Sequence, residues 1–306
     1  MRGFIATFAL CSVLAPGAAA APPLVPDPPI VCESCDAWNA PHEPFRVFGN
    51  TYYVGVAGLS AVLIATDQGL ILIDAGLPQS APLIDTNIRR LGFRTEDLKL
   101  ILNGHAHYDH AGGIAALQRA SGATVATSEA GAQALRRGEP TEDDPQFAFG
   151  PKENAFPAVA EVRAVRDGET LRLGSLAITA HHTPGHTPGS TSWSWRSCEG
   201  ERCLDVVYAD SLAPVSAPGF RFTGDASHPS RIKTFRSSIA KIGALPCDIL
   251  LSPHPGFSGM DEKLAKRQQR VTPDPFIDPE SCRAYAAKAT AGLEKRITEE
   301  QAVESR

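Results

Sequence analysis

The segment His105-Ala106-His107-Tyr108-Asp109-His110, continued by Ala111-Gly112-Gly113, sets three imidazoles and a carboxylate in H-x-H-x-D-H order. Residues 98–103 before it are a short apolar run that reads as a buried strand, and residues 114–120 after it read as a helix. The cluster therefore falls on a strand-to-helix turn, where α/β proteins place their chemistry. His105 and His107, two apart on a turn, can address one ion, while Asp109 and His110 turn to a second. Imidazole mixed with carboxylate suits zinc or iron better than magnesium or calcium. One histidine alone would be read as a surface or core residue; three with an aspartate at this spacing read as a metal site.

Two further histidines fall where strands end, in HHTPGHTPG (181–189) and LSPHPG (251–256). Their prolines and glycines make tight turns that would fix His186 and His254. These two complete a pair of three-residue sites with coordination positions left open, as a catalytic metal needs. His42 and His228 read as surface residues, and His181 or His182 is a candidate for holding a ligand from behind.

At 306 residues, 43% hydrophobic and 21% charged, the chain can bury a sizeable core in one large domain or two small ones. Its formal charge of −5, with dispersed arginines, gives no electrostatic case for nucleic acid or an acidic membrane as partner. Arg2, an apolar run over 4–14 and the small residues Ala18, Ala19 and Ala20 read as a signal peptide over 1–20. That run is too short to span a bilayer. A lipid anchor on Cys11 is disfavoured by the bulky Leu10. The expected location is a periplasm, with no membrane anchor after cleavage.

Without Cys11 six cysteines remain, and an even number in an oxidising compartment suggests disulfides. Cys198 and Cys203 flank a possible hairpin tip. Cys32 and Cys35 read as a local ring, or as a redox or metal-binding C-x-x-C that lacks a second such motif to complete a zinc site. A disulfide between Cys247 and Cys282 is expected, tying a late strand to the C-terminal helix; the pairing of the other four stays open.

In chain order, residues 21–44 form a Pro-rich, extended arm. Alternation over 45–55 and 61–73 predicts antiparallel strands, followed by a helix over 81–91, a strand over 124–127 and a helix over 129–136. Residues 138–158 carry glycine, proline, acids and Phe147, Phe149 and Phe156 without periodicity. Such a loop is a candidate flap over a pocket, or is pinned to the core by its rings. A second set of strands reads from 161 to 195 and over 205–209. A helix over 229–245, a buried strand over 248–251 and a charged amphipathic helix over 285–299 complete the chain. This order predicts an α/β domain over 45–306, with two sheets packed face to face and helices outside.

Together, H-x-H-x-D-H, TPGHTPGSTSW (183–193), YADSL (208–212) and SPHPG (252–256) resemble the metallo-β-lactamase superfamily and, more narrowly, its subclass B3. The resemblance runs from about Trp38 to the C-terminal helix. The first motif marks only the superfamily, which also holds thioesterases, lactonases and oxygenases; the narrower reading rests on the other motifs and on Cys247 with Cys282. It implies an αββα sandwich of two mixed sheets with the site on one edge. It also implies two Zn2+ ions, the first held by His105, His107 and His186, the second by Asp109, His110 and His254, with Ser211 beside the second. The implied reaction is hydrolysis of the β-lactam amide of penicillins, cephalosporins and carbapenems, hence antibiotic resistance. A hydroxide shared by the ions would attack the carbonyl, oriented by Asp109. The first ion would polarise the carbonyl oxygen, and the second would stabilise the departing nitrogen. No acyl-enzyme is needed, so the lack of an S-x-x-K motif is expected. A monomer acting on a small molecule is expected.

The pattern departs at Ala213, where a hydroxyl-bearing residue often meets the substrate carboxylate; Ser216 is the candidate replacement. The alternatives are an exported lactonase or thioester hydrolase on the same scaffold, a single-iron oxygenase, and a zinc-storing protein. An oxygenase needs fewer ligands than the six offered, and Asp109 with the open positions counts against storage. In the lactonases and thioester hydrolases an aspartate after a similar strand bridges the metals, and Asp210 is the candidate here. Strand alternation predicts that Ser211 faces the site while Asp210 points away into a structural hydrogen-bond network.

Overall fold

A computed structural model describes residues 24–226 and 228–304, so the signal-peptide reading lies outside the described residues. Seven strands form the first sheet in sequence order: β1 (Phe45–Phe48), β2 (Thr51–Tyr53), β3 (Val62–Thr66), β4 (Gly69–Ile73), β5 (Leu98–Leu102), β6 (Thr124–Thr127) and β7 (Val162–Ala164). The first four pair antiparallel and the last three join in parallel. The second sheet has the order β12-β11-β10-β9-β8, from β8 (Thr170–Leu173), β9 (Leu176–His182), β10 (Thr191–Glu199), β11 (Arg202–Tyr208) and β12 (Ile249–Leu251). Assigning 161–164 to the second set of strands was an error: β7 pairs in parallel with β6 and closes the first sheet.

Strand periodicity splits the core into layers. Along β4, Leu70 and Leu72 face the helices α2 (Ala81–Arg90), α4 (Ile114–Ser121) and α5 (Glu129–Arg137), while Ile71 and Ile73 face the other sheet. Between the sheets Ile64, Ile71 and Ile73 meet Ile178, Trp193, Val206 and Ile249. The 138–158 loop carries the short α6 (Pro151–Asn154). Behind the second sheet, Val207, Ala209 and Leu250 pack on α7 (Ile232–Ala244) and α9 (Ser281–Glu304). The result is the expected αββα sandwich.

Three disulfides are formed, Cys32–Cys35, Cys198–Cys203 and Cys247–Cys282. The Pro-rich arm is less loose than its composition suggests. Its Ile30 backbone exchanges hydrogen bonds with the Gln79 amide at 3.0 and 2.7 Å, and it ends in the short helix α1 (Cys35–Trp38). No helix among the described residues is long and apolar enough to cross a membrane.

Candidate metal centre

The parallel strands β5 and β12 and the hairpin β9–β10 end at one edge of the sandwich, and the candidate ligands follow those ends. His105 and His107 lie just beyond β5, Asp109 and His110 in the short helix α3 (Tyr108–Ala111), His186 in the β9–β10 turn and His254 after β12. The turn after β5 is held by buried Asp74, whose φ of 58° is one of two positive values among the non-glycine residues described. Its Oδ1 accepts from Asn103 Nδ2 at 2.9 Å and from the Gly104 amide at 2.7 Å, and its Oδ2 from Tyr208 Oη at 2.6 Å. Burial, together with the charge of Asp210 and against those hydrogen bonds, pushes Asp74 up to about 8. Gly113 is needed for close approach, because a Cβ there would run into the Ala75 carbonyl.

Five of the six predicted ligands are buried, and His254 is half-buried. One ligand atom from each of His105, His107 and His186 lies within 4.8 Å of the others, as does one from each of His105, Asp109 and His110. His254 joins the second group through Asp109: Asp109 Oδ2 is 3.2 Å from His110 Nε2 and 3.4 Å from His254 Nε2. Ligands about 2.0–2.1 Å from a tetrahedral zinc stand roughly 3.3 Å apart, so these separations fit an ion at that point. In the first group, His105 Nε2 is buried without a hydrogen-bond partner among the described residues. Such an atom is the donor an ion would satisfy. The donor set therefore fits a metal of the zinc type.

Behind each group stands a set of hydrogen-bond acceptors. His105 Nδ1 donates to Asp210 Oδ1 at 2.7 Å, His186 Nδ1 to the Ala213 carbonyl at 2.8 Å, and His254 Nδ1 to the Gly58 carbonyl at 3.1 Å. His107 Nε2 lies 3.2 Å from both oxygens of Asp144. Such bonds fix the tautomer and aim the opposite nitrogen. Burial, reinforced by neighbouring histidines, holds His105 well below the ordinary imidazole range and lowers His186 to about 3. Burial lowers His110 as well, against the pull of Asp109. At His107 burial is outweighed by Asp144, and at His254 by Asp109, so both are raised. Burial likewise fails to lift Asp109, which His110 and His254 hold well below the usual carboxylate range.

Several expectations change here. Asp210 does not point away from the centre; it supports His105 from behind, yet belongs to neither ligand group among the described residues. Ser211 is buried, and its Oγ accepts from the Ala213 amide at 3.4 Å. Ser216 Oγ accepts from Arg296 Nη2 at 2.8 Å, which ties it to α9. His181 Nε2 bonds Ser194 Oγ at 2.8 Å, and neither it nor His182 contacts a ligand, so the support expected from this pair comes from Asp210, Asp144 and two carbonyls. The sequence reading also missed Asp144, in the 138–158 loop, and Trp38, whose ring centroid is 5.3 Å from that of His254.

A family model described as the Metallo-beta-lactamase superfamily matches residues 54–257. The chain belongs to this superfamily. Within it, the Rm3 metallo-beta-lactamase is 50% identical with a TM-score of 0.85, over 89% of this chain and 99% of that one. MEM-A1, a subclass B3 metallo-beta-lactamase isolated from a soil metagenome library, is 50% identical with a TM-score of 0.82, over 87% and 99%. Curated relatives are more distant. A hydroxyacylglutathione hydrolase of Anaeromyxobacter dehalogenans (strain 2CP-C) is 31% identical over 204 residues, 66% of this chain and 62% of its own length. The human acyl-coenzyme A thioesterase MBLAC2 is 29% identical over 162 residues, 49% and 56% respectively. The chain thus spans less than two thirds of either curated relative.

Proposed function

We propose that this metallo-β-lactamase-fold hydrolase is an exported di-zinc enzyme that opens the β-lactam amide. His105, His107 and His186 would hold one ion, and Asp109, His110 and His254 the other. Zinc in these groups supplies Lewis acidity and, at neutral pH, a hydroxide nucleophile. The chain's own part is to keep its ligands neutral and aimed. His105, His110 and His186 are lowered by burial and so need not shed a proton to bind. Asp109, kept ionised by His110 and His254, places an oxygen at the second group where it can accept a hydrogen bond from an attacking water and orient it. Ser211 is the hydroxyl offered to the substrate carboxylate. Three disulfides support passage through an oxidising compartment such as the periplasm.

The observation that carries this reading over a lactonase or thioesterase is the place of Asp210. A metal-bridging aspartate would join both groups; Asp210 falls in neither among the described residues, with its Oδ1 bonded to the outer nitrogen of His105 and its Oδ2 buried without a hydrogen-bond partner. The test is a substrate panel: a penicillin, a cephalosporin and a carbapenem against a hydroxyacyl thioester, an acyl-coenzyme A and an acyl lactone, each with and without chelator. Chelator-sensitive opening of the β-lactams in preference to the others is expected. Preference for the thioesters or the lactone would replace this reading with the one the curated relatives suggest.

A further inference from the structure

We infer that Asp144 is a positioning residue for His107, and that through it the order of two loops flanking the site is coupled to metal binding in the first ligand group. The inference rests on the metal reading above.

Asp144 lies in the 138–158 loop yet is only 5% exposed. Its own backbone fixes it: the Asp144 amide donates to the Thr141 carbonyl at 2.8 Å, its carbonyl accepts from the Phe147 amide at 3.0 Å, and its Oδ1 accepts from the Gln146 amide at 2.8 Å. From that turn the carboxylate meets His107 Nε2 at 3.2 Å, and the other nitrogen, Nδ1, which lies 3.5 Å from the Gln146 amide nitrogen, is the one left for an ion. The next residue links to a second loop, because the Ala217 amide donates to the Pro145 carbonyl at 2.9 Å. In that second loop the Ala213 carbonyl accepts from His186 Nδ1 at 2.8 Å. The contacts therefore close a circuit. His107 and His186, with ring centroids 5.1 Å apart, are each held by a loop, and the loops are bonded to each other.

His105 stands outside the circuit. Its support, Asp210, hangs at the end of the second sheet, with its amide on Ser192 Oγ at 2.9 Å and its carbonyl on Tyr285 Oη at 3.1 Å. The first group thus has one ligand anchored to the sandwich and two anchored to loops. An ion that pins His107 and His186 to His105 pins both loops. Those loops carry Phe149 and Val215, 40% and 45% exposed. By linkage, the factor by which zinc orders the loops equals the factor by which the ordered loops strengthen zinc binding.

The experiment uses the full mature chain, metal-free and with two equivalents of zinc, read by hydrogen exchange and by zinc competition with a chromophoric chelator. In the wild type, zinc is expected to slow exchange in the 139–158 and 213–219 peptides together. In Asp144→Ala the zinc of the first group should lose affinity by roughly 10–100-fold, and both peptides should stay fast after loading. The β10 and β11 peptides should keep wild-type protection, which separates this effect from misfolding. Asp144→Asn, whose amide oxygen still accepts from Nε2–H, should recover part of the affinity; if the alanine variant does not fold, the asparagine variant decides, with zinc binding about tenfold weaker expected. Wild-type zinc affinity in these variants, or loop protection on zinc loading as in the wild type, overturns the inference alone. A wild type that takes up no zinc overturns it together with the metal reading.

Discussion

The imidazoles of the first group differ in what stands behind them: a carboxylate for His105 and His107, a backbone carbonyl for His186. Asp210 makes the shortest of these contacts from a fully buried position. Asp210→Ala should therefore weaken zinc binding by roughly 10–100-fold while leaving two ions bound at saturating zinc. Loss of both ions at once would point instead to a bridging ligand. The six candidate ligands stand out in the sequence because each sits in a short motif with glycine or proline beside it. Asp210 enters a hydrogen-bond network as expected, but that network includes His105 Nδ1, because strand alternation stops at Tyr208, where β11 ends, and no longer governs direction beyond it. Asp144 gave no such signal; one acid of the run Glu142-Asp143-Asp144 in an aperiodic loop acquires its role only when the loop folds over His107.

At the scale of elements, α9 is clamped at both ends. Near its start Cys282 is bonded to Cys247 across 35 residues. Replacing both by serine should cost about 3–4 kcal/mol in the chain-entropy picture, read by urea unfolding with the other disulfides intact; no change in midpoint would contradict it. Towards its end Glu300 accepts from the Phe222 and Thr223 amides at 3.0 and 2.8 Å and from Arg296 at 2.6 Å. Glu300→Ala leaves those donors unmatched and should cost about 2 kcal/mol. Burial would raise the Glu300 carboxyl, but the bonds from Thr223, Arg296 and Phe222 lower it on balance. Its contribution is therefore full above its unfolded value of about 4.3 and is lost as pH falls through the lower folded value. The stability gap between wild type and Glu300→Ala should shrink only in acid; a gap that shrinks between pH 6 and 8 would contradict this assignment. Helices and antiparallel strands were readable because their contacts are local. The pairing of β7 with β6 was not, since a parallel neighbour is chosen by packing across the 138–158 loop. The helix α8 (Met260–Gln268) was overlooked because only Met260 in it is buried.

At the scale of the molecule, strand ends from both sheets deliver residues from 105 to 254 to one edge, where two donor groups sit side by side. His105 and His110 rings are 4.4 Å apart, and His110 and His254 rings 4.8 Å. That adjacency makes a two-ion hydrolase the central claim. The most direct measurement is a zinc titration of the metal-free protein, following β-lactam ring opening and bound zinc in the same samples. Activity rising with zinc to a plateau at two ions per chain, abolished by chelator and regained on adding zinc back, is the expected result. A chain that holds two zinc ions and leaves penicillin, cephalosporin and carbapenem intact would contradict the account.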